Sequence, residues 1–317
     1  MGTADDIITL RSFGAFLIGV VVSAVLYGVT FMQTWYYFTR YSSDPWYNKF
    51  LVGAIFLSDS IHQALITHTV YTYLITDFGS VNDIEKLVWS LSIEVLFNGF
   101  TGFMVQSFFA KRVYHVSNNN VFATASVLCL VIAEFVIVII YVAKAVKLTL
   151  FTQVPQLKPL SMSVNAVAAA GDVLITVFLC SFLQRSRTGF HQSDNLINRL
   201  MLFSINTGLL TSICAVMSLI SIVAWPDTFI FVAFYFCLGR LYCNSLLATL
   251  NVRKTIRHDS SDEPMALSLH RARRPVDSPS SSARMGMPND ISIKIDTAEY
   301  IEDEFLSAKD IKSSGSV

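Results

Sequence analysis

Polar residues interrupt this chain at intervals too long for a water-soluble fold. Between Arg11 and Arg253, seven apolar runs alternate with short polar loops: Ser12–Thr39, Phe50–Thr76, Leu87–Ala110, Val113–Ala143, Pro159–Gln184, Leu200–Pro226 and Thr228–Val252. Each is longer than the roughly 20 residues a helix needs to cross the hydrocarbon of a bilayer. The pattern predicts an all-α fold, a seven-transmembrane helix bundle over residues 1–253. From Lys254 the apolar periodicity stops and Ser, Pro and mixed charge take over, which predicts a disordered cytoplasmic tail over 254–317. Five of the seven runs carry a single Asp, Glu or Arg: Asp59, Glu94, Glu134, Asp172 and Arg240.

The loops set the expected orientation. Arg40, Lys49, Lys111, Arg112, Arg185, Arg187, Arg199, Arg253, Lys254 and Arg257 would face one side, whereas Arg11, Lys86, Lys144, Lys147 and Lys158 would face the other. The positive-inside rule then puts the N-terminus outside and the C-terminus in the cytoplasm. Trp35, Tyr36, Tyr37, Tyr41, Trp46 and Tyr47 cluster around the first loop, as expected of an aromatic belt at headgroup depth. All eight prolines avoid the interiors of the runs, so straight helices are expected. In the first run, Gly19 with Ser23 and Ala24 with Gly28 are spaced for close helix contact.

Composition agrees with the membrane reading and narrows the partners. The chain is 53% hydrophobic and 15% charged, against about a quarter charged in soluble domains. A formal net charge of zero and scattered basic residues leave no nucleic-acid footprint, so nucleic acid is excluded as a partner. Cys129, Cys180, Cys214, Cys237 and Cys243 all fall inside the runs and read as small buried hydrophobes. Asp5 and Asp6 precede a first run too long for a cleaved signal, so it is read as a retained anchor, and no lipidation signal is present. In the tail, Arg271, Arg273 and Arg274 precede Ser278, Ser280, Ser281 and Ser282, which are candidate phosphorylation sites able to release a basic segment from anionic lipid. Ile291, Ile293 and Ile295 alternate with polar residues ahead of an acidic stretch, a period suited to a cytoplasmic protein partner that offers a sheet edge.

Ionisable groups are costly in hydrocarbon, by about 2.5–3.5 kcal/mol on insertion scales, and usually face the bundle interior in pairs. Four carboxylates meet one guanidinium here, so a polar cavity follows as an expectation, with Arg240 paired to Asp59 or Asp172. Asp59 and His62 share a face of the second run, Glu94 and Asn98 share a face of the third, and Asn244 follows Arg240 by one turn. Asp59, His62, Glu94, Asn98, Glu134, Asp172, Arg240 and Asn244 are therefore the candidate intramembrane polar site. A zinc hydrolase would need further histidines within the runs, but His115, His191, His258 and His270 fall in expected loops or tail. No nucleophile triad or phosphate loop is recognisable, and the expectation is a protein without enzymatic activity, metal or cofactor. A retinal protein would need a lysine where the last run has Arg240. The common G-protein-coupled receptor boxes are missing too, since the last run has Asn244-Ser245 rather than Asn-Pro.

Ala170-Gly171-Asp172, Arg187-Thr188-Gly189-Phe190, Asp194, Thr207-Gly208-Leu209-Leu210-Thr211 and the run Leu241 to Arg253 occur in one order, with Gln106-Ser107-Phe108-Phe109 earlier in the chain. Residues 167–253 thereby resemble a fungal, mainly basidiomycete, family of seven-helix membrane proteins catalogued as a domain of unknown function, of the 6534 type. The resemblance implies a seven-helix bundle with its N-terminus outside, and it implies no substrate, cofactor or catalytic residue. Two function classes stay open. One is a receptor-like or sensor protein with a small-molecule ligand and a regulatory tail; the other is a carrier of protons or small polar solutes that uses the buried carboxylates. Straight helices, no visible inverted repeat and a long tail favour the first. The expected location is the plasma membrane or an endomembrane.

Overall fold

The computed structural model describes residues 4–77, 86–185, 191–225 and 228–272. Among them run seven long helices: α1 (Ala4–Arg40), α2 (Trp46–Tyr71), α3 (Trp89–Val116), α4 (Val121–Ala145), α5 (Lys158–Arg185), α6 (His191–Ala224) and α7 (Ile230–Ala272). Six of these are long and apolar enough to span a membrane; in α6 the apolar stretch is Gly208–Ala224. The molecule is a multi-pass membrane protein, built of helices because a bilayer offers no water to unpaired backbone groups. The chain forms two compact units, Met1–Ser268 and Leu269–Val317, and only Leu269–Ala272 of the second is described. Ser278, Ser280, Ser281 and Ser282 lie outside the described residues.

Large apolar side chains point outward, as lipid requires: Val25, Met32, Leu57, Ile132, Val173 and Val177 are all exposed on the bundle surface. The interior holds the polar residues instead, including Asp59, Glu94, Glu134, Asp172 and Arg240. Of the six candidate spans α7 is the most enclosed, with 67% of its apolar window buried against 17% for α4. Hydrogen bonds tie α7 to α1 through Asn244, to α2 through Arg240, to α3 through Asn98, to α5 through Asp172 and to α6 through Cys214. It is the central post of the bundle.

Several boundaries differ from the sequence expectation. Lys111 and Arg112 do not form the third loop, because α3 continues to Val116 and the chain turns at Ser117–Asn120. Three asparagines make that turn: Asn118 and Asn119 adopt φ of 55° and 64°, which asparagine tolerates better than most residues, and the Asn120 side chain accepts from the amides of Phe122 and Ala123 to cap α4. Helix α6 starts at His191, inside the expected loop before Leu200, and α7 stays helical to Ala272, past the end of the last apolar run at Val252 and into residues 254–272, for which the sequence predicts disorder. Charged residues such as Lys111 form helix as readily as apolar ones, so hydropathy marks where a span leaves the lipid rather than where its helix ends.

The aromatic belt divides. Trp35, Tyr36, Trp46 and Tyr47 are exposed at the bundle surface, but Tyr37 and Tyr41 are buried, stack at 5.5 Å between ring centres and anchor helix ends. The Tyr37 hydroxyl donates to Asp44 at 2.9 Å, and that of Tyr41 donates to the Asn251 carbonyl on α7 at 2.7 Å. At the opposite end α2 runs into a π-helical turn, Thr72–Thr76, whose buried Tyr73 donates to the Lys86 carbonyl and accepts from the Val88 amide. An antiparallel bridge pairs Lys86 with Leu150, just before a 3-10 turn at Phe151–Leu157.

Of the small-residue pairs in α1, one makes a helix contact. A Cβ on Gly19 would lie 2.8 Å from the Ala233 Cα of α7, so this approach requires glycine, and the neighbouring Ser23 is fully buried. Gly28 has open space around it and makes no such contact.

Candidate functional site

Arg240 is fully buried and uses every arm of its guanidinium. Nη1 pairs with the Asp59 carboxylate and also donates to the Asp59 carbonyl at 2.8 Å. Nε donates to Ser23 Oγ at 3.0 Å, and Nη2 donates to Gln63 Oε1 and to His62 Nδ1, each at 3.0 Å. The Tyr27 ring lies 5.2 Å from the guanidinium carbon. The expected choice between Asp59 and Asp172 is thus decided in favour of Asp59, whose position on α2 lies across from Arg240, while Asp172 on α5 points into a separate cluster.

His62 links this arginine to Glu94. An arginine N–H can only donate, so His62 Nδ1 must accept and its hydrogen must sit on Nε2. Nε2 lies 2.9 Å from Glu94 Oε2 and donates to it. The imidazole is therefore neutral and bridges a cation on one side to a carboxylate on the other. Glu94, His62, Arg240 and Asp59 form one continuous polar line through α3, α2 and α7, closed by Ser23 from α1.

Above Glu94 opens a cleft walled by Leu91, Ser92, Tyr141, Ser161, Phe229, Val232 and Tyr235. These residues come from the start of α3, the end of α4, the start of α5 and the start of α7, so the cleft lies at the end of the bundle that carries the Lys86–Leu150 bridge. The cavity volume is about 50 Å³, room for a few waters or a slender apolar group. Its walls are mostly apolar and its floor is a buried acceptor, a combination typical of small-molecule sites.

A second cluster surrounds Tyr242. Its hydroxyl donates to Asp172 Oδ2 at 2.9 Å, and the Gln106 amide lies 3.5 Å from Asp172 Oδ1 and 3.4 Å from the Tyr242 oxygen. Glu134 on α4 faces the same group from the other side. Among the described residues no ion pair reaches Asp172 or Glu134, so this half of the interior carries two carboxyl groups and no cation.

The side-chain amides of Asn98 and Asn244 bond to backbone carbonyls rather than to the carboxylates of either cluster. Asn98 donates to the Tyr235 carbonyl at 2.9 Å, and its Oδ1 would stand 2.3 Å from a Cβ on Gly239, so that glycine makes room for it. Asn244 accepts from Thr30 at 3.1 Å and donates to the Leu26 carbonyl at 3.2 Å, which fastens α7 to α1. Ser23, Gln106 and Tyr242 were not singled out as site residues from the sequence. A hydroxyl or amide in an apolar run carries too little signal by itself, although Gln106 and Tyr242 both lie in the segments that carry the family resemblance.

Residues 168–255 match the model of a family of unknown function. It is DUF6534. The DUF6534 segment spans most of α5, all of α6 and α7 as far as Thr255, and so contains Asp172, Arg240, Tyr242 and Asn244. The partners of Arg240, namely Ser23, Asp59, His62 and Gln63, come from outside it, as do Glu94, Gln106 and Glu134. No curated protein and no solved structure matches the chain.

Proposed function

We propose that the protein is receptor-like: a small amphiphile enters the cleft from the end of the bundle that carries the N-terminus, and its polar head meets Glu94. The single observation that carries this reading is the contact of Glu94 with both the cleft and the His62–Arg240 line. A ligand that takes a hydrogen bond or charge from Glu94 competes with His62 Nε2–H, and His62 in turn is held by Arg240. The disturbance reaches α7, the most enclosed helix, which continues beyond the membrane toward the tail. Since Glu94 accepts hydrogen bonds, the head is a donor, an ammonium or a hydroxyl, and the apolar walls call for an alkyl or aryl body.

The test uses the full chain in nanodiscs with octylamine, octanol and octanoate as probes. Octylamine and octanol are expected to raise the melting temperature of wild type and not of Glu94→Gln, with octanoate inert. Equal shifts with all three probes, or shifts that survive in Glu94→Gln, would refute the reading. A carrier that uses the buried carboxylates remains the second reading, supported by the uncompensated pair Asp172 and Glu134. It predicts proton or solute flux in proteoliposomes that Glu134→Gln abolishes, whereas the receptor-like reading predicts none.

A further inference from the structure

Between α3, α4, α5 and α7 lies a small, partly open space with several polar groups in its lining. Asn98, Gly102, Glu134, Asn165, Tyr235 and Tyr242 border it, and its cavity volume of about 20 Å³ suits one water-sized particle. Glu134 is buried there and meets no cation among the described residues. Asn165 supplies the second observation. It is 1% exposed, its Nδ2 donates to the Ser161 carbonyl at 3.0 Å, and its Oδ1 has no partner. Because the carbonyl of Ser161 can only accept, the amide cannot be turned the other way, and a bare acceptor oxygen is left on the wall of the cavity. A buried acceptor without a donor is costly, and one beside a carboxylate is more so.

We infer that this cavity, bounded by Glu134 and Asn165, binds a single sodium ion. Both side chains offer hard oxygen donors, and the site is one particle in size. With one lining carboxylate and one amide oxygen the site balances a monovalent cation, whereas calcium takes six to eight oxygens, several of them carboxylate, and magnesium is usually held by carboxylates with several retained waters. Water could satisfy Asn165 Oδ1 alone, whereas a cation is held by Asn165 Oδ1 and the Glu134 carboxylate together. The ion would join α4 to α5 beside Tyr242, and thus brace α7 from the side opposite Arg240. The inference stands independently of the amphiphile reading, since none of its residues contacts Glu94 or His62 by hydrogen bond.

The experiment is a melting series on the full chain in nanodiscs, with sodium replaced by potassium or N-methylglucamine at constant ionic strength. Sodium is expected to raise the melting temperature saturably, by about 3 °C over N-methylglucamine, with a smaller effect of potassium. The rise is expected to vanish in Glu134→Gln and in the milder Asn165→Ser, and to persist in Glu94→Gln. A wild-type protein indifferent to the cation, or a sodium effect that survives in Asn165→Ser, overturns the assignment and leaves water alone in the cavity.

Discussion

Arg240 holds Asp59 twice, through the carboxylate and through the main-chain carbonyl of the same residue, so that one side chain of α7 fixes both the charge and the backbone of α2. Removing one member of a buried pair strands the other and typically costs about 3–5 kcal/mol. Arg240→Leu is expected to lower the melting temperature strongly, and Arg240→Leu with Asp59→Asn to recover part of the loss. Combining Arg240→Leu with Asp172→Asn is expected to give no recovery, because Asp172 bonds to Tyr242 and Gln106. Rescue by Asp172→Asn and not by Asp59→Asn would show that the pairing is wrong.

The neutral tautomer of His62 has a spectroscopic signature. In protein carrying ¹⁵N-labelled histidine, the His62 ring is expected to show a protonated Nε2 and a bare Nδ1. His62→Leu, which orphans a donor of Arg240 and leaves Glu94 without its partner, is expected to cost about 1–3 kcal/mol or more. Glu94→Gln should cost less, since the amide oxygen still accepts from Nε2. A doubly protonated ring would contradict the donor assignment around Arg240.

Two glycines of α1 make a matched pair. Gly19→Ala forces a Cβ against the backbone of Ala233 at 2.8 Å, and about 1–3 kcal/mol of destabilisation is expected. Gly28→Ala meets nothing within 4 Å and should be neutral or stabilising by up to about 1 kcal/mol. Thermal melts of both variants check the packing of α1 on α7, and a reversed order would place the contact elsewhere.

The orientation inferred from loop charge is open to labelling. Asn119 lies in the exposed α3–α4 turn and Lys147 is exposed after α4, at opposite ends of that helix. In a background free of reactive cysteines, Lys147→Cys is expected to react with an impermeant maleimide from outside intact cells, and Asn119→Cys only after permeabilisation. The opposite pattern would invert the molecule.

Much of this architecture is legible in the sequence because lipid imposes it directly. A long apolar run must be a helix, and a lone charge within it must turn inward, so Asp59, Glu94, Glu134, Asp172 and Arg240 all reach the interior. What the sequence leaves open is the pairing. Asp59 and Asp172 are equivalent partners for Arg240 until the rotation of α2 and α5 about α7 is known, and that rotation depends on contacts such as Gly19 against Ala233 and Gly239 against Asn98. Helix ends were also hidden, because Lys111 and Arg112 leave the lipid without leaving the helix. The three asparagines at 118–120 were the better signal for that turn. Tyr37 and Tyr41 read as lipid-facing rings because aromatic type alone does not reveal which face of α1 meets its neighbours.

The central claim is that occupancy of the cleft at Glu94 is felt along α7. A ¹⁹F reporter attached at Ala248→Cys, two turns beyond Arg240 on that helix, measures this most directly when the wild-type background is titrated with octylamine in nanodiscs. The account predicts a saturable change in the fluorine spectrum that disappears in Glu94→Gln and is weakened in His62→Leu. A spectrum that does not respond to octylamine, or one that responds equally in Glu94→Gln, would contradict it.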